Sequence, residues 1–292
     1  MTIQQIGVIG AGQMGNGIAH VAAQSGYDVV LLDVSADALT KALQTIEKNL
    51  QRQVAKGALS DNEVGAVLGR IKTSTKMQDL ADGDLVIEAA TEQEAIKKKI
   101  FAEIDGVLKA DGILASNTSS ISITRLAATT SRPEQFVGMH FMNPVPMMKL
   151  VEMIRGLATS DETFGAVKDV AEKMGKIVAV SEDVPGFIVN RLLLPMLNEA
   201  CFALQDGVAD VVSIDTAMKL GVAHPMGPLT LADFIGLDTC LSIMKVLHSE
   251  LGDSKYRPCP LLVKYVDAGW LGRKAGRGFY DYRGAEPVPS HA

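Results

Sequence analysis

Short apolar runs alternate with longer amphipathic stretches along the first part of the chain. This alternation is typical of a mostly parallel sheet with helices on both faces, so we predict a doubly wound α/β fold there. The apolar runs predict strands at residues 4–10, 29–32, 71–74, 84–88, 112–116, 135–140, 148–154 and 177–180. The amphipathic stretches predict helices at residues 17–24, 36–56, 61–68, 94–108 and 162–174.

The alternation stops at a polar segment, SEDVPG at residues 181–186, whose proline and glycine are typical of a linker. Beyond it only helical periodicity remains, with helices predicted at residues 187–204, 211–220 and 229–251. Pro195 interrupts the first of these, and we expect it to kink that helix. We therefore predict two domains, an α/β domain at 1–184 and an all-helical domain at 185–292.

The first predicted strand ends on a glycine-rich turn, GAGQMG at residues 10–15, and a helix follows directly. The second strand ends on Asp33. A strand, this turn, a helix and a second strand closed by an acid form the dinucleotide-binding fingerprint of Rossmann-like domains. Gly10 permits the tight turn, Gly12 lets the backbone approach a pyrophosphate, and Gly15 lets helix and strand pack closely. The N–H groups at the start of the helix would then bind the phosphates.

The acid at the end of the second strand favours NAD over NADP. The Asp33 carboxylate can accept hydrogen bonds from ribose hydroxyls and would repel the extra phosphate of NADP. The next residues, VSAD at 34–37, include no arginine to bind that phosphate. A different role stays open, since Asp33 or Ser35 would also be a suitable cap for the following helix. FAD proteins share the fingerprint, but we favour FAD less.

Composition and charge exclude several classes of function. The net charge of -6 argues against a nucleic-acid partner, which normally requires a basic excess. No apolar stretch approaches the roughly 20 residues that cross a bilayer, and the first residues, MTIQQ, lack the basic region of a targeting segment. Cys201, Cys240 and Cys259 form no metal-ligand pattern, and their odd, widely spaced set suits a reducing compartment. We expect a cytoplasmic protein without a metal.

One segment, GMHFMNP at residues 138–144, places a histidine at the carboxyl end of a predicted strand. Oxidation of an alcohol needs a base for the hydroxyl proton, and histidine titrates in the right range. Glu152 lies in the next apolar strand, where an unpaired charge is costly, so we expect it to pair with His140. The carboxylate would fix the imidazole tautomer. The alternatives are a structural histidine and an exposed acid on an edge strand.

Two further polar features could complete a site. The cluster SNTSS at residues 116–120 follows a buried strand, so its hydroxyls should face the crevice at the strand ends. Helix capping before Ile121 is the alternative for at least one of them. Asn190, in the first helix past the linker, has an amide that can donate to a substrate oxygen. By itself, an asparagine there is more often a helix-surface residue.

Six motifs in order give the chain a family resemblance. They are GAGQMG, SNTSS, GMHFMNP, VPGFIVNR, HPMGPL and GWLGRKAGRGFYDY, which begin at residues 10, 116, 138, 184, 224 and 269. Together they resemble the 3-hydroxyacyl-CoA dehydrogenases, in particular the single-function bacterial 3-hydroxybutyryl-CoA dehydrogenases. The resemblance spans essentially the whole chain.

The resemblance implies a role for each matching residue. His140 matches the general acid/base and Glu152 its orienting partner, while Ser119 and Asn190 match residues that hold the reacting oxygen and the thioester. The implied cofactor contacts are Gly10, Gly12, Gln13, Met14, Gly15, Asp33, Glu92, Lys97, Ser119 and Asn143. The implied substrate contacts are Asn117, Ser119, Asn190 and, near the CoA nucleotide, Arg52 and Lys56.

The resemblance also implies the reaction and the assembly. An L-3-hydroxyacyl-CoA and NAD would form a 3-oxoacyl-CoA and NADH reversibly, with 3-hydroxybutyryl-CoA and acetoacetyl-CoA as the pair of short-chain substrates. Members of the family form homodimers through the helical domain. Two alternatives stay open: another β-hydroxyacid dehydrogenase of the same two-domain plan, and a crystallin-like dinucleotide-binding protein without catalysis. In place of Asn190, many dehydrogenases of the first kind use a lysine base.

Overall fold

The computed structural model describes residues 2–290. These residues divide between Val184 and Pro185 into two compact units. The division falls inside the polar segment that the sequence marks as a linker. The first unit combines strands and helices, and the second consists mainly of helices.

Within residues 2–184, eight strands form one sheet that helices flank. The strands are β1 (Gln5–Ile9), β2 (Asp28–Leu32), β3 (Ile71–Ser74), β4 (Leu85–Glu88), β5 (Ile113–Ser116), β6 (Phe136–Phe141), β7 (Leu150–Arg155) and β8 (Ile177–Glu182). The helices are α1 (Gln13–Gln24), α2 (Ala36–Ala55), α3 (Asp61–Gly69), α4 (Glu94–Asp105), α5 (Ile123–Ala127) and α6 (Asp161–Lys173). Each predicted strand and helix is present. The short α5 was not predicted, and α1 begins four residues earlier than predicted, inside the glycine motif.

The strand order places a ligand-binding edge in the first unit. The order is β3-β2-β1-β4-β5-β6-β7-β8, and neighbours are parallel except for β6 and β7. From β1 the chain runs outward to β2 and β3 and then returns to the other side of β1 at β4. Ligands of doubly wound sheets bind outside the carboxyl ends of the strands at this switch point. The order confirms the predicted Rossmann-like class.

The centre of the sheet explains why its strands are continuous apolar runs. Val8 pairs in register with Leu31 on one side and Ile87 on the other, and all three side chains are fully buried. Ile18 of α1 belongs to the same core cluster. Burial of each such side chain contributes about 1.5–3 kcal/mol. The core therefore fixes α1 against β1, with the glycine turn between them.

The second unit holds five helices and one short strand pair within residues 185–290. They are α7 (Val189–Gln205), α8 (Val211–Gly221), α9 (Pro228–Ile235), α10 (Leu237–Leu251), α11 (Pro260–Asp267), β9 (Tyr280–Asp281) and β10 (Val288–Pro289). The predicted helical domain is confirmed, with the antiparallel β9–β10 pair as an addition. Pro195 lies inside α7, which is one helix of 17 residues.

The predicted single helix at residues 229–251 is wrong. Two helices occupy this stretch, and they meet at Gly236, whose φ is +103°. A right-handed helix cannot continue through that dihedral angle, and glycine adopts it without the penalty of a side chain. The apolar periodicity runs on across the break, because both helices bury one face in the same core. Periodicity alone therefore could not reveal the break.

A buried carboxylate holds the C-terminal segment of the second unit. Asp233 on α9 accepts hydrogen bonds from the backbone N–H groups of Phe279 and Tyr280, both at 2.9 Å, and from the Tyr282 hydroxyl at 3.0 Å. A Cβ atom on Gly278 would lie 1.9 Å from Asp233 Oδ1, so a larger residue would displace the carboxylate. These contacts give the closing GRGFYDY sequence a structural role, because they attach it to α9. We call the hydrogen bonds from Phe279, Tyr280 and Tyr282 to Asp233 the clasp.

The clasp predicts a pH-dependent stability. Burial raises the pKa of Asp233 to about 6 from 3.8. Because the folded state then binds the proton more tightly than the unfolded state, the contribution of Asp233 to stability is largest below pH 4 and is lost as the pH rises through 6. Relative to Asp233→Asn, the native protein should lose roughly 2–3 kcal/mol between pH 3 and pH 7. Urea unfolding followed by fluorescence of the single tryptophan, Trp270, measures this in the second unit. Parallel pH profiles for the two proteins would contradict the prediction.

Candidate active site

A histidine and a glutamate face each other across β6 and β7. The antiparallel register pairs His140 directly with Glu152, and His140 Nδ1 lies 2.7 Å from Glu152 Oε2. The glutamate side chain is fully buried and the imidazole is 10 % exposed. Since a carboxylate can only accept, a hydrogen bond from the imidazole to an ionised Glu152 requires the hydrogen on Nδ1. β7 lies between β6 and β8, so Glu152 is not an exposed acid on an edge strand.

The carboxyl ends of β5 and β6 are tied together beside this pair. Asn117 Oδ1 accepts a hydrogen bond of 2.9 Å from the backbone N–H of Phe141, the residue after His140. Asn143 follows on the connection to β7, where it is exposed. The structure thus brings the predicted substrate residue Asn117 next to the His140 strand and uses its side-chain oxygen to position that strand.

Glu92 organises the serine cluster after β5. Its Oε1 atom accepts hydrogen bonds from Thr118 Oγ1 at 2.7 Å, from the Ser119 N–H at 2.8 Å and from Ser119 Oγ at 2.9 Å. Thr118 Oγ1 in turn accepts from the N–H of Ile121 in the turn before α5, and the N-cap of α5 is Ser122, which lies outside the cluster. Two residues that the family resemblance assigns to the cofactor, Glu92 and Ser119, are therefore in direct contact.

A buried ion pair that the sequence analysis missed lies at the carboxyl end of β4. Lys97 Nζ is 2.6 Å from Glu88 Oε2, which also accepts from Ser116 Oγ at 3.0 Å, and all three residues are buried. Glu92 Oε2 lies 3.8 Å from the same ammonium. The predicted cofactor residue Lys97 thus supports the two strand-end loops. The available signal was an acid ending the apolar run LVIE, with a lysine nine residues later.

The glycine turn has the close contacts that its sequence implies. Gly10 has a φ of +103°, and a Cβ atom there would lie 2.6 Å from Ala90 Cα at the end of β4. A Cβ atom on Gly15 would lie 1.7 Å from the Gly10 carbonyl oxygen. At Gly12, by contrast, no heavy atom of residues 2–290 other than its chain neighbours lies within 4 Å of that position. The space that a side chain would take above Gly12 is therefore open.

These features fit NAD. Gly12 is the N-cap of α1 and offers no side-chain oxygen, so it does not compete for the N–H groups of Gln13 and Met14, which lie in the first turn. Asp33 accepts from the N–H of Ala11 at 2.7 Å and from that of Ser35 at 2.9 Å. Its half-exposed carboxylate has lone pairs left for ribose hydroxyls. The side-chain cap of α2 is Ser35.

The open space at Gly12 gives a sharp prediction. Gly12→Ala should leave the fold intact and raise the dissociation constant for NADH about 10- to 100-fold, because the added methyl group meets only the ligand. Gly65→Ala on α3, where an added Cβ atom also meets nothing within 4 Å, is the matched control. Neither change should lower the melting temperature by more than about 2 °C. Unaltered NADH binding in the Gly12 variant, measured by titration calorimetry, would refute the placement of the dinucleotide at Gly12.

The remaining predicted residues lie on α2 and α7. Arg52 is in the last turn of α2 and Lys56 is its C-cap, and both are exposed. Asn190 is buried on α7 in the second unit.

Two further features are the character of the helices and the state of the cysteines. The helices of residues 2–290 include none with the length and apolar character needed to cross a membrane. Cys201, Cys240 and Cys259 all lie in the described part of the chain and are buried free thiols.

Both units match models of one enzyme family. Residues 5–184 match the model described as 3-hydroxyacyl-CoA dehydrogenase, NAD binding domain, and residues 186–282 match the 3-hydroxyacyl-CoA dehydrogenase, C-terminal domain. The chain therefore belongs to the 3-hydroxyacyl-CoA dehydrogenase family, as the resemblance of its motifs predicted. It is an oxidoreductase, and its first unit is the family's NAD-binding domain.

Relatives of high identity specify the branch of the family that the chain resembles. A 3-hydroxybutyryl-CoA dehydrogenase of Bradyrhizobium diazoefficiens is 67% identical over 288 residues, which are 99% of this chain and 98% of the relative. The crystal structure of an (S)-3-hydroxybutyryl-CoA dehydrogenase from Ralstonia eutropha superposes with a TM-score of 0.95 at 51% identity. The match covers 97% of this chain and 100% of that one.

Proposed function

We propose that this protein is a 3-hydroxybutyryl-CoA dehydrogenase, which interconverts a short-chain L-3-hydroxyacyl-CoA and the 3-oxoacyl-CoA with NAD. The observation that carries the proposal is the 2.7 Å contact between His140 and the buried Glu152 at the carboxyl end of the sheet. A relative that is 67% identical bears this name.

In the proposed reaction the imidazole of His140 moves the proton. On oxidation His140 Nε2 takes the hydroxyl proton of the substrate. On reduction it returns the proton to the oxygen of the carbonyl group that is reduced. Glu152 keeps Nδ1 protonated and stabilises the imidazolium that forms. When bound, NAD would supply the hydride acceptor for the oxidation, and NADH would supply the hydride for the reduction. Ser119 and Asn190 are proposed to hold the reacting oxygen and the thioester by hydrogen bonds.

The cofactor proposal is NAD in preference to NADP, since the Asp33 carboxylate would repel a ribose phosphate. Gln13, Met14, Glu92, Lys97 and Asn143 are proposed as further cofactor contacts, together with the glycine turn and Ser119.

Arg52 and Lys56 are proposed to bind the phosphates of CoA. Both cations are exposed at the end of α2, which suits a polyanionic ligand on a protein of net charge -6.

We further propose a homodimer formed through the second unit. Four large apolar side chains there are 61–81 % exposed, and an interface between two copies would remove them from water. They are Leu192, Val208, Leu220 and Phe234. Sedimentation should give twice the chain mass of 31.1 kDa. A cytoplasmic location is proposed because the three cysteines are free thiols.

The function is tested by following NADH absorbance with acyl-CoA substrates of four to sixteen carbons, with NADPH in parallel. We expect turnover of acetoacetyl-CoA with NADH. Comparable turnover of free 3-oxo acids without CoA would instead support the β-hydroxyacid dehydrogenase alternative. NADH binding with no turnover of any acyl-CoA would support the crystallin-like alternative.

A further inference from the structure

A lysine outside the predicted site lies buried against backbone carbonyl groups. Lys176, which directly precedes β8, is 7 % exposed. Its Nζ atom donates to the carbonyl oxygens of Val145 at 2.5 Å and Met148 at 2.9 Å. Burial lowers the pKa of this lysine. Burial of an ammonium group costs free energy, so we expect a role of Lys176 other than packing.

Both carbonyl groups belong to the segment that joins the two strands of the candidate acid/base pair. We call residues 142–149 the hairpin loop; it runs from the end of β6, which carries His140, to the start of β7, which carries Glu152. The loop also turns on itself, because the N–H groups of Met147 and Met148 both donate to the Pro144 carbonyl. Lys176 supplies hydrogen-bond donors to the carbonyl groups of Val145 and Met148 in this irregular segment.

The hairpin loop also packs against the helix of the glycine turn. A Cβ atom on Gly17 of α1 would lie 2.8 Å from Val145 Cβ, so α1 and the loop are in close contact. Val145 is buried at this contact, and its carbonyl group is one of the two that Lys176 binds. Lys176 therefore fixes the loop between the dinucleotide helix and the strand pair.

We propose that Lys176 is a positioning residue for the hydride-transfer reaction: it holds the hairpin loop, and with it the spacing between the glycine-turn helix and the His140–Glu152 pair. The inference rests on the proposed function. It assigns to Lys176 an effect on the geometry in which the proton and the hydride move, where a small displacement is expensive.

Lys176→Met tests the proposal, because it keeps the length of the side chain and removes the donors. We expect kcat for acetoacetyl-CoA reduction to fall about 10- to 100-fold, and the dissociation constant for NADH to change less than about threefold. The amides of Met147 and Met148 should exchange hydrogen about tenfold faster. Lys176→Arg, which keeps a cation with donors, should restore most of kcat. If Lys176→Met yields no folded protein, the same measurements are made on Lys176→Gln.

A matched control separates positioning from stability. Arg132 is another cation that binds backbone carbonyl groups, among them that of Gly112, and its side chain is 9 % exposed. It lies at the amino end of β5, at the end of the sheet opposite the carboxyl end of β6. Arg132→Met should lower the melting temperature and leave kcat of the folded enzyme unchanged. Retention of kcat within about threefold in Lys176→Met, or an equal loss in Arg132→Met, would overturn the proposal. If the native protein does not reduce acetoacetyl-CoA, the proposed function fails, whereas the exchange rates still report whether Lys176 holds the loop.

Discussion

Replacing His140 with glutamine should lower kcat for acetoacetyl-CoA reduction by about 10²- to 10⁴-fold. Glutamine approximates the size of the imidazole but can neither take up the substrate proton nor return it. NADH binding should persist, because the glycine turn and Asp33 lie on other strand ends. Initial rates from NADH absorbance and binding by calorimetry measure the two effects separately.

The matched control for this change is His248→Gln. His248 is an exposed histidine in the last turn of α10, in the second unit, so its replacement should leave both kcat and NADH binding unaltered. If kcat falls less than about threefold in the His140 variant, another group moves the proton and the proposed role of His140 is wrong.

Replacing Glu152 with glutamine should lower kcat for the oxidation of 3-hydroxybutyryl-CoA, measured by NADH absorbance, on the order of 10³-fold while the sheet stays folded. The amide has nearly the shape of the carboxylate but can donate to His140 Nδ1. That contact favours the tautomer whose Nε2 carries the proton, and such an imidazole cannot act as the base. Glu103→Gln, at an exposed position on α4, is the control and should have no effect.

The combination of the two substitutions adds a further test. Because His140 and Glu152 act as one unit, the double variant should lose little more activity than the His140 variant alone. Losses that multiply would show that Glu152 acts independently of the imidazole.

Much of the first unit was predictable because its local patterns and its long-range contacts agree. Buried parallel strands are continuous apolar runs, and the glycine spacing in the first turn follows from close backbone contacts at Gly10 and Gly15. Glu152 could be paired with His140 because an acid inside an apolar strand needs a partner.

Other contacts could not be derived from local sequence. The bonds from Glu92 to the serine cluster join two loops that are distant in sequence, and nothing in either loop indicates the other. Gly236 breaks a helix whose periodicity continues, so only the dihedral angle shows the break. Asp233 did give a usable signal, an acid in the apolar helix PLTLADFI, of the same kind that identified Glu152.

The protonation of the His140 ring tests the central claim most directly. An ¹⁵N NMR spectrum of protein labelled at histidine, with the His140 signals assigned by their loss in His140→Gln, reports which ring nitrogen carries the hydrogen. The proposed mechanism predicts a protonated Nδ1 bonded to Glu152 and an unprotonated Nε2 in the neutral ring. A neutral ring with the hydrogen on Nε2 would contradict it, because that nitrogen could not accept the substrate proton.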